Sequence, residues 1–147
     1  MSSSSFVDTN VLVYSRDANA GEKQVRARAW LERLWKARNG RLSYQVLDEY
    51  YVITTRKLNP SLPRGPARRD VRALLAWRPA GVSEEVLSEA WDIQDRFGFS
   101  WWDSLIVASA RILGASYLLT EALQAGQDLD GLLVVNPFET EPTTLGA

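Results

Sequence analysis

Two rhythms of apolar and polar positions run along this chain. Short apolar runs closed by polar residues, at Ser5-Phe6-Val7, at 116–120 (Ser-Tyr-Leu-Leu-Thr) and at 132–135, predict buried strands. Between them, apolar residues recur every three or four positions. Val25, Ala29, Leu31, Leu34 and Trp35 mark a helix over 22–38. Val46, Tyr50 and Ile53, widened by Leu47 and Tyr51, mark another over 44–57. Further helices are expected over 11–16, 67–76, 83–97 and 101–113, with a very short strand at Leu42-Ser43 and a candidate edge strand at 77–80. Thr9 or Asn10, Ser43, Ser83 and Ser100 stand where helix caps belong, and Asn39-Gly40, Asn59-Pro60 and Gly114 where helices stop. Strands alternating with helices over one domain length predict an α/β fold with a mainly parallel sheet. Residues 139–147 read as a frayed tail.

The first strand ends in a carboxylate, Asp8. In an open α/β sheet ligands bind at the carboxyl ends of strands, so an acid there either caps the following helix or holds a hard cation through oxygen. Three other places offer acids that could meet it. Glu49 lies in an otherwise apolar stretch beside Tyr50, on the core side or its rim, while Asp48 faces solvent. Asp103 sits in the first turn of a helix that is apolar on nearly all sides, where a charge is costly unless paired or metal-bound. Thr120-Glu121 repeats after a second strand the arrangement at Asp8. Carboxylates so clustered raise one another's pKa, and Mg²⁺ or Mn²⁺ relieves the repulsion and positions a water for attack on a phosphodiester.

Composition narrows the chemistry. The 147 residues contain no Cys and no His, which excludes thiol nucleophiles, thiolate zinc sites, a histidine base and a Ser-His-Asp triad. No Gly-rich phosphate loop is present, and Thr9 and Asn10 follow Asp8 in place of an Asp-x-Asp, which weighs against a phosphatase or other Rossmann-like enzyme. The formal net charge is −1, but its distribution is uneven. Arg56, Lys57, Arg64, Arg68, Arg69, Arg72 and Arg78 face a single acid, Asp70, whereas no basic residue follows Arg111. Such a basic segment is either a solvated helix face or a grip on a phosphate backbone. No apolar run suits a membrane span and the N-terminus lacks the features of a signal peptide, so a cytoplasmic protein is expected.

Four pieces in order, Val7-Asp8-Thr9-Asn10-Val11-Leu12, 43–50 (Ser-Tyr-Gln-Val-Leu-Asp-Glu-Tyr), 102–108 (Trp-Asp-Ser-Leu-Ile-Val-Ala) and Leu119-Thr120-Glu121, resemble the PIN domain, and within it the VapC-type toxins of bacterial toxin–antitoxin pairs. The closing 134–138 (Val-Val-Asn-Pro-Phe) is similar to that group's final strand. The resemblance implies a three-layer α/β/α sandwich in a domain over 1–138, followed by a tail over 139–147. It also implies a Mg²⁺- or Mn²⁺-dependent endoribonuclease acting on RNA, usually a homodimer, neutralised by a cognate VapB-like antitoxin. By position, Asp8, Glu49 and Asp103 match the metal-binding acids, Thr9 and Asn10 the polar residues behind the first acid, and Thr120 a hydroxyl that orients the site. The family usually places an Asp two residues after that Thr. Here the position is Ala122, so Glu121, or Asp128, is the candidate auxiliary ligand. The alternative is a catalytically impaired PIN-like domain serving as a protein- or RNA-binding module.

Overall fold

A five-stranded sheet carries the fold, in a computed structural model that describes residues 3–145. Its strands are β1 (Ser5–Val7), β2 (Gly40–Arg41), β3 (Tyr117–Leu119), β4 (Asp128–Leu129) and β5 (Leu132–Val135), in the spatial order β2-β1-β3-β5-β4. All neighbours are parallel except β4, which runs antiparallel to β5. The register sets Val7 beside Leu119 and Leu119 beside Val135. Asp8 N–H donates to the Leu119 carbonyl at 3.0 Å and Thr120 N–H to that of Val135 at 3.1 Å, so the ladder extends one residue past each strand. Asp8 and Thr120 therefore leave the sheet side by side.

The helices are α1 (Thr9–Tyr14), α2 (Glu22–Ala37), α3 (Tyr44–Val52), α4 (Arg64–Leu74), α5 (Glu84–Phe97) and α6 (Trp101–Ile112). Ser43, Ser83 and Ser100 cap α3, α5 and α6, each accepting from the backbone N–H three residues on. The expected cap at Thr9 or Asn10 is corrected. Asp8, in extended backbone, caps α1 itself through Oδ1, which accepts from Thr9 N–H at 2.7 Å. The helix expected over 44–57 is α-helical only to Val52 and then widens into a π-helical turn over Ile53–Lys57. There the Thr54 and Thr55 hydroxyls donate back to the Tyr50 and Tyr51 carbonyls, at 2.7 and 2.6 Å, and compete with the regular ladder. Helix α4 begins at Arg64, with Pro66 tolerated in the first turn, where it breaks no helical bond.

Two expected strands are displaced. The strand read at Leu42-Ser43 forms two residues earlier, where Ser5 pairs with Gly40. The Trp77 ring lies so close over Gly40 that a Cβ there would sit 2.5 Å from it. In place of an edge strand at 77–80 there is a 3₁₀ turn, Leu75–Trp77, and a single parallel bridge between Ser43 and Ala80. The tail is not frayed as far as it is described. Pro142–Leu145 forms a 3₁₀ turn with Pro142 buried, and Arg26 pairs with Glu141 at 3.0 Å. The Trp30 indole N–H is shared between the carbonyls of Pro137 and Thr140, at 2.9 and 3.1 Å.

The core gathers Phe6, Val7, Leu118, Leu119 and Val134 from the sheet with Val11, Trp30, Val46 and Tyr50 from α1, α2 and α3. A smaller cluster, Val86, Ala90, Leu105 and Ala108, holds α5 against α6. One polar latch crosses this packing. Arg16 donates twice to Asp70, at 2.8 and 2.6 Å, and the Tyr50 hydroxyl donates to the same carboxylate, tying α4 to the turn after α1 and to α3.

Candidate active site

The strand-to-helix junction after β1 places Asp8 on the sheet edge, 7 % exposed, with both of its carboxylate oxygens hydrogen-bonded. Its Oδ1 accepts from Thr9 N–H, and its Oδ2 accepts from the Thr120 hydroxyl at 2.8 Å and, at 3.4 Å, from the Asn10 amide. Thr120, fully buried, also accepts from Asn10 Nδ2 at 3.1 Å and from Ala122 N–H at 3.0 Å. The hydroxyl thus donates one bond and accepts two, which is all it can make. Thr9 Oγ1 donates to Glu49 Oε1 at 2.7 Å and brings α3 to the same place.

Burial pushes the Asp8 carboxyl up to about 6, and the charges of Glu49 and Asp103 add to the rise. The bonds from Thr120 and Thr9 act in the opposite direction without cancelling it. Asp103 comes from the first turn of α6, half-buried, with Ser100 capping its N–H at 3.1 Å. A cleft of about 650 Å³ opens over Asp8, Thr9, Asn10, Tyr14, Glu49 and Lys57.

Glu121 turns elsewhere. Its Oε1 accepts from the Tyr14 hydroxyl at 2.5 Å and its Oε2 from Lys23 Nζ at 2.7 Å. Burial works to raise the Glu121 carboxyl, yet the bonds from Lys23 and Tyr14 outweigh it and hold the group below the usual carboxylate range. Asp128 accepts from Gly131 N–H in the exposed β4–β5 turn. Sequence reasoning singled out neither Tyr14 nor Lys23. Nothing local marks them, because their partner lies about a hundred residues away in the chain.

The PIN domain family profile matches residues 5–121, which span β1 to the residue behind Thr120. The chain belongs to the PIN domain family. Two solved structures share the fold of this PIN domain. One is Mycobacterium tuberculosis VapC20, described as a sarcin-ricin loop cleaving toxin, with 21% identity over 78% of this chain and 87% of that one and a TM-score of 0.57. The other is a toxin–antitoxin complex from Klebsiella pneumoniae, with 16% identity over 91% of this chain and 98% of that one and a TM-score of 0.58. No curated protein matches the chain in sequence. No described helix of this PIN domain is long and apolar enough to cross a membrane.

The donor set at Asp8 suits a hard divalent cation in kind. It consists of carboxylate oxygens, and Glu49 Oε2 and both Asp103 oxygens accept no hydrogen bond among the described residues. Among those residues no three acidic side chains converge closely enough to form a closed cage. Mg²⁺ needs none, since it keeps several waters and takes one or two carboxylates.

Proposed function

We propose that this PIN domain is a Mg²⁺- or Mn²⁺-dependent endoribonuclease of the toxin type, with Asp8, Glu49 and Asp103 as the residues that would hold the ion. The observation that carries this reading is Asp8, destabilised as an anion by its burial at a sheet edge and further by two carboxylates, and ion-paired to no lysine or arginine among the described residues. An arrangement so costly is kept where an external cation relieves it. When bound, a divalent ion supplies Lewis-acid stabilisation of the scissile phosphate and a water of lowered pKa. The chain's own residues orient the donors. Thr120 and Thr9 N–H fix both oxygens of Asp8, Thr9 Oγ1 fixes Glu49, and Asn10 holds Thr120 in place.

The surfaces around this site support an RNA substrate and a protein partner. Lys57 lines the acidic cleft, and Arg64, Arg69 and Arg72 stand exposed on α4 with no acidic partner among the described residues, a surface suited to an RNA backbone. Beside them Tyr44, Leu47, Val52, Val71 and Leu75 line an apolar groove whose charged lining is Arg68 and Arg72 against the single acid Asp48. That groove fits an amphipathic helix with acidic flanks, the kind of segment an antitoxin would supply. The Klebsiella pneumoniae complex supports such a partner. Exposed Trp91 and Trp102 supply area for a homodimer.

The deciding experiment is cleavage of total cellular RNA by purified, partner-free protein in Mg²⁺ or Mn²⁺, with EDTA and Asp103→Asn lanes. Discrete products that vanish in both controls are the expected result. Ala122, together with the engagement of Glu121 by Lys23, favours a second reading as a non-cleaving binding module. Folded protein that leaves RNA intact in either metal, and whose melting temperature Mn²⁺ does not raise, would establish that reading instead.

A further inference from the structure

Glu121 stands directly behind Thr120, where an auxiliary ligand would be sought, yet both its oxygens are committed. Tyr14 takes Oε1 at 2.5 Å and Lys23 takes Oε2 at 2.7 Å. The Lys23 ammonium is fixed from three further directions. It lies 3.5 Å from the Tyr14 hydroxyl, 4.9 Å from the centroid of that ring and 5.5 Å from that of Phe138, and the two rings meet edge to face at 5.1 Å. An ammonium has three donors, and those contacts leave one for solvent; the Lys23 side chain is 45% exposed. The cluster is joined to the site on two sides. Tyr14 lines the cleft with Asp8 and Glu49. Glu121 N–H faces Asn10 Oδ1 at 3.5 Å, and the amide nitrogen of that same Asn10 bonds Thr120.

We propose that Glu121 is a positioning residue and not a metal ligand, and that it fixes Lys23 at the rim of the acidic cleft as a contact for a phosphate of the substrate backbone. The reading rests on the ribonuclease reading of the cleft. An acidic site repels a polyanion before its cation arrives, and a held ammonium at the rim draws a phosphate in without entering the carboxylate cluster. Glu121 and the rings of Tyr14 and Phe138 keep the long side chain from sweeping free, so little conformational entropy is lost when the phosphate docks.

The test uses full-length protein with Lys23→Met, Lys23→Arg and Glu121→Gln, each shown to be folded by thermal melting. Mn²⁺ binding is measured by titration calorimetry. Binding of a fluorescent single-stranded RNA is measured by anisotropy in an Asp103→Asn background, across a salt series. The expected result is unchanged Mn²⁺ affinity in all three variants and several-fold weaker RNA binding in Lys23→Met, its log–log salt slope shallower by about 0.7. Lys23→Arg retains binding, and Glu121→Gln falls between. A Glu121→Gln variant that loses about tenfold in Mn²⁺ affinity would make Glu121 a ligand and overturn the proposal. Wild-type RNA affinity and salt slope in Lys23→Met would overturn the contact. None of these readouts requires cleavage, so a protein that binds RNA through Lys23 and never cuts it breaks the ribonuclease reading alone.

Discussion

Asp8 directly follows β1, and Glu121 lies two residues past β3, its neighbour in the sheet. Both are carboxylates at the same edge, separated mainly by what surrounds them. Asp8 is buried among neutral donors and two like charges, and its carboxyl is pushed up to about 6. Glu121 has a cation and a phenol on its two oxygens and is held low. A carboxylate left without a cation is open to an external one, whereas one already neutralised is part of the scaffold. Position after a strand says that an acid is at the edge; its hydrogen-bond partners say which job it has.

The sharpest way to break this contrast is to remove an acid from the unneutralised side. Asp103→Asn is expected to abolish metal-dependent cleavage while leaving the fold intact, as gel analysis and circular dichroism would show. The pH dependence of stability comes next. Because folded Asp8 titrates near 6 and an unfolded Asp near 3.8, the folded state holds the proton longer as pH rises. Metal-free protein should therefore lose stability between about pH 4 and 6, by about 3 kcal/mol in total. Mn²⁺ at neutral pH should restore it. In Asp8→Asn both the pH-dependent loss and the Mn²⁺ effect should disappear, with melting temperatures across pH as the readout. Thr120→Val removes the hydroxyl that holds Asp8, Asn10 and Ala122 N–H together, and should cost about 10- to 100-fold in metal affinity or turnover. The smallest effect belongs to the neutralised side. Glu121→Gln should cost about 1 kcal/mol of stability or less, since its pair with Lys23 is partly exposed. A larger cost than Thr120→Val in the same melting assay would erase the distinction.

Much of this was legible in the chain because it is encoded locally. An apolar run closed by Asp8, serine caps at 43, 83 and 100, and an almost wholly apolar helix bearing one early acid are each written within a dozen residues. What was not legible depends on distant residues. Lys23 is unremarkable in its own segment, and it meets Glu121 only because β1 and β3 are neighbours in the sheet. The two-residue β4 has too few residues to show a period, and the tail looked frayed because Trp30, its partner, lies in α2. The widening after Val52 had a local sign, the consecutive Thr54 and Thr55, which bond backward to the carbonyls the regular ladder would use.

The latch between Arg16, Tyr50 and Asp70 has a kinetic consequence. Asp70 is the one acid among the seven basic residues from Arg56 to Arg78, and folding turns it inward onto Arg16. Its negative charge is thereby paired with Arg16 at the partly exposed base of α4, and the outer side of that helix carries an excess of positive charge. The field of that charge acts before contact, over about 8 Å at physiological ionic strength, and it accelerates encounter more than it tightens the final complex. A polyanion approaching this protein would be captured first along α4, at a rate that falls as salt is added, and would reach the carboxylates only afterwards.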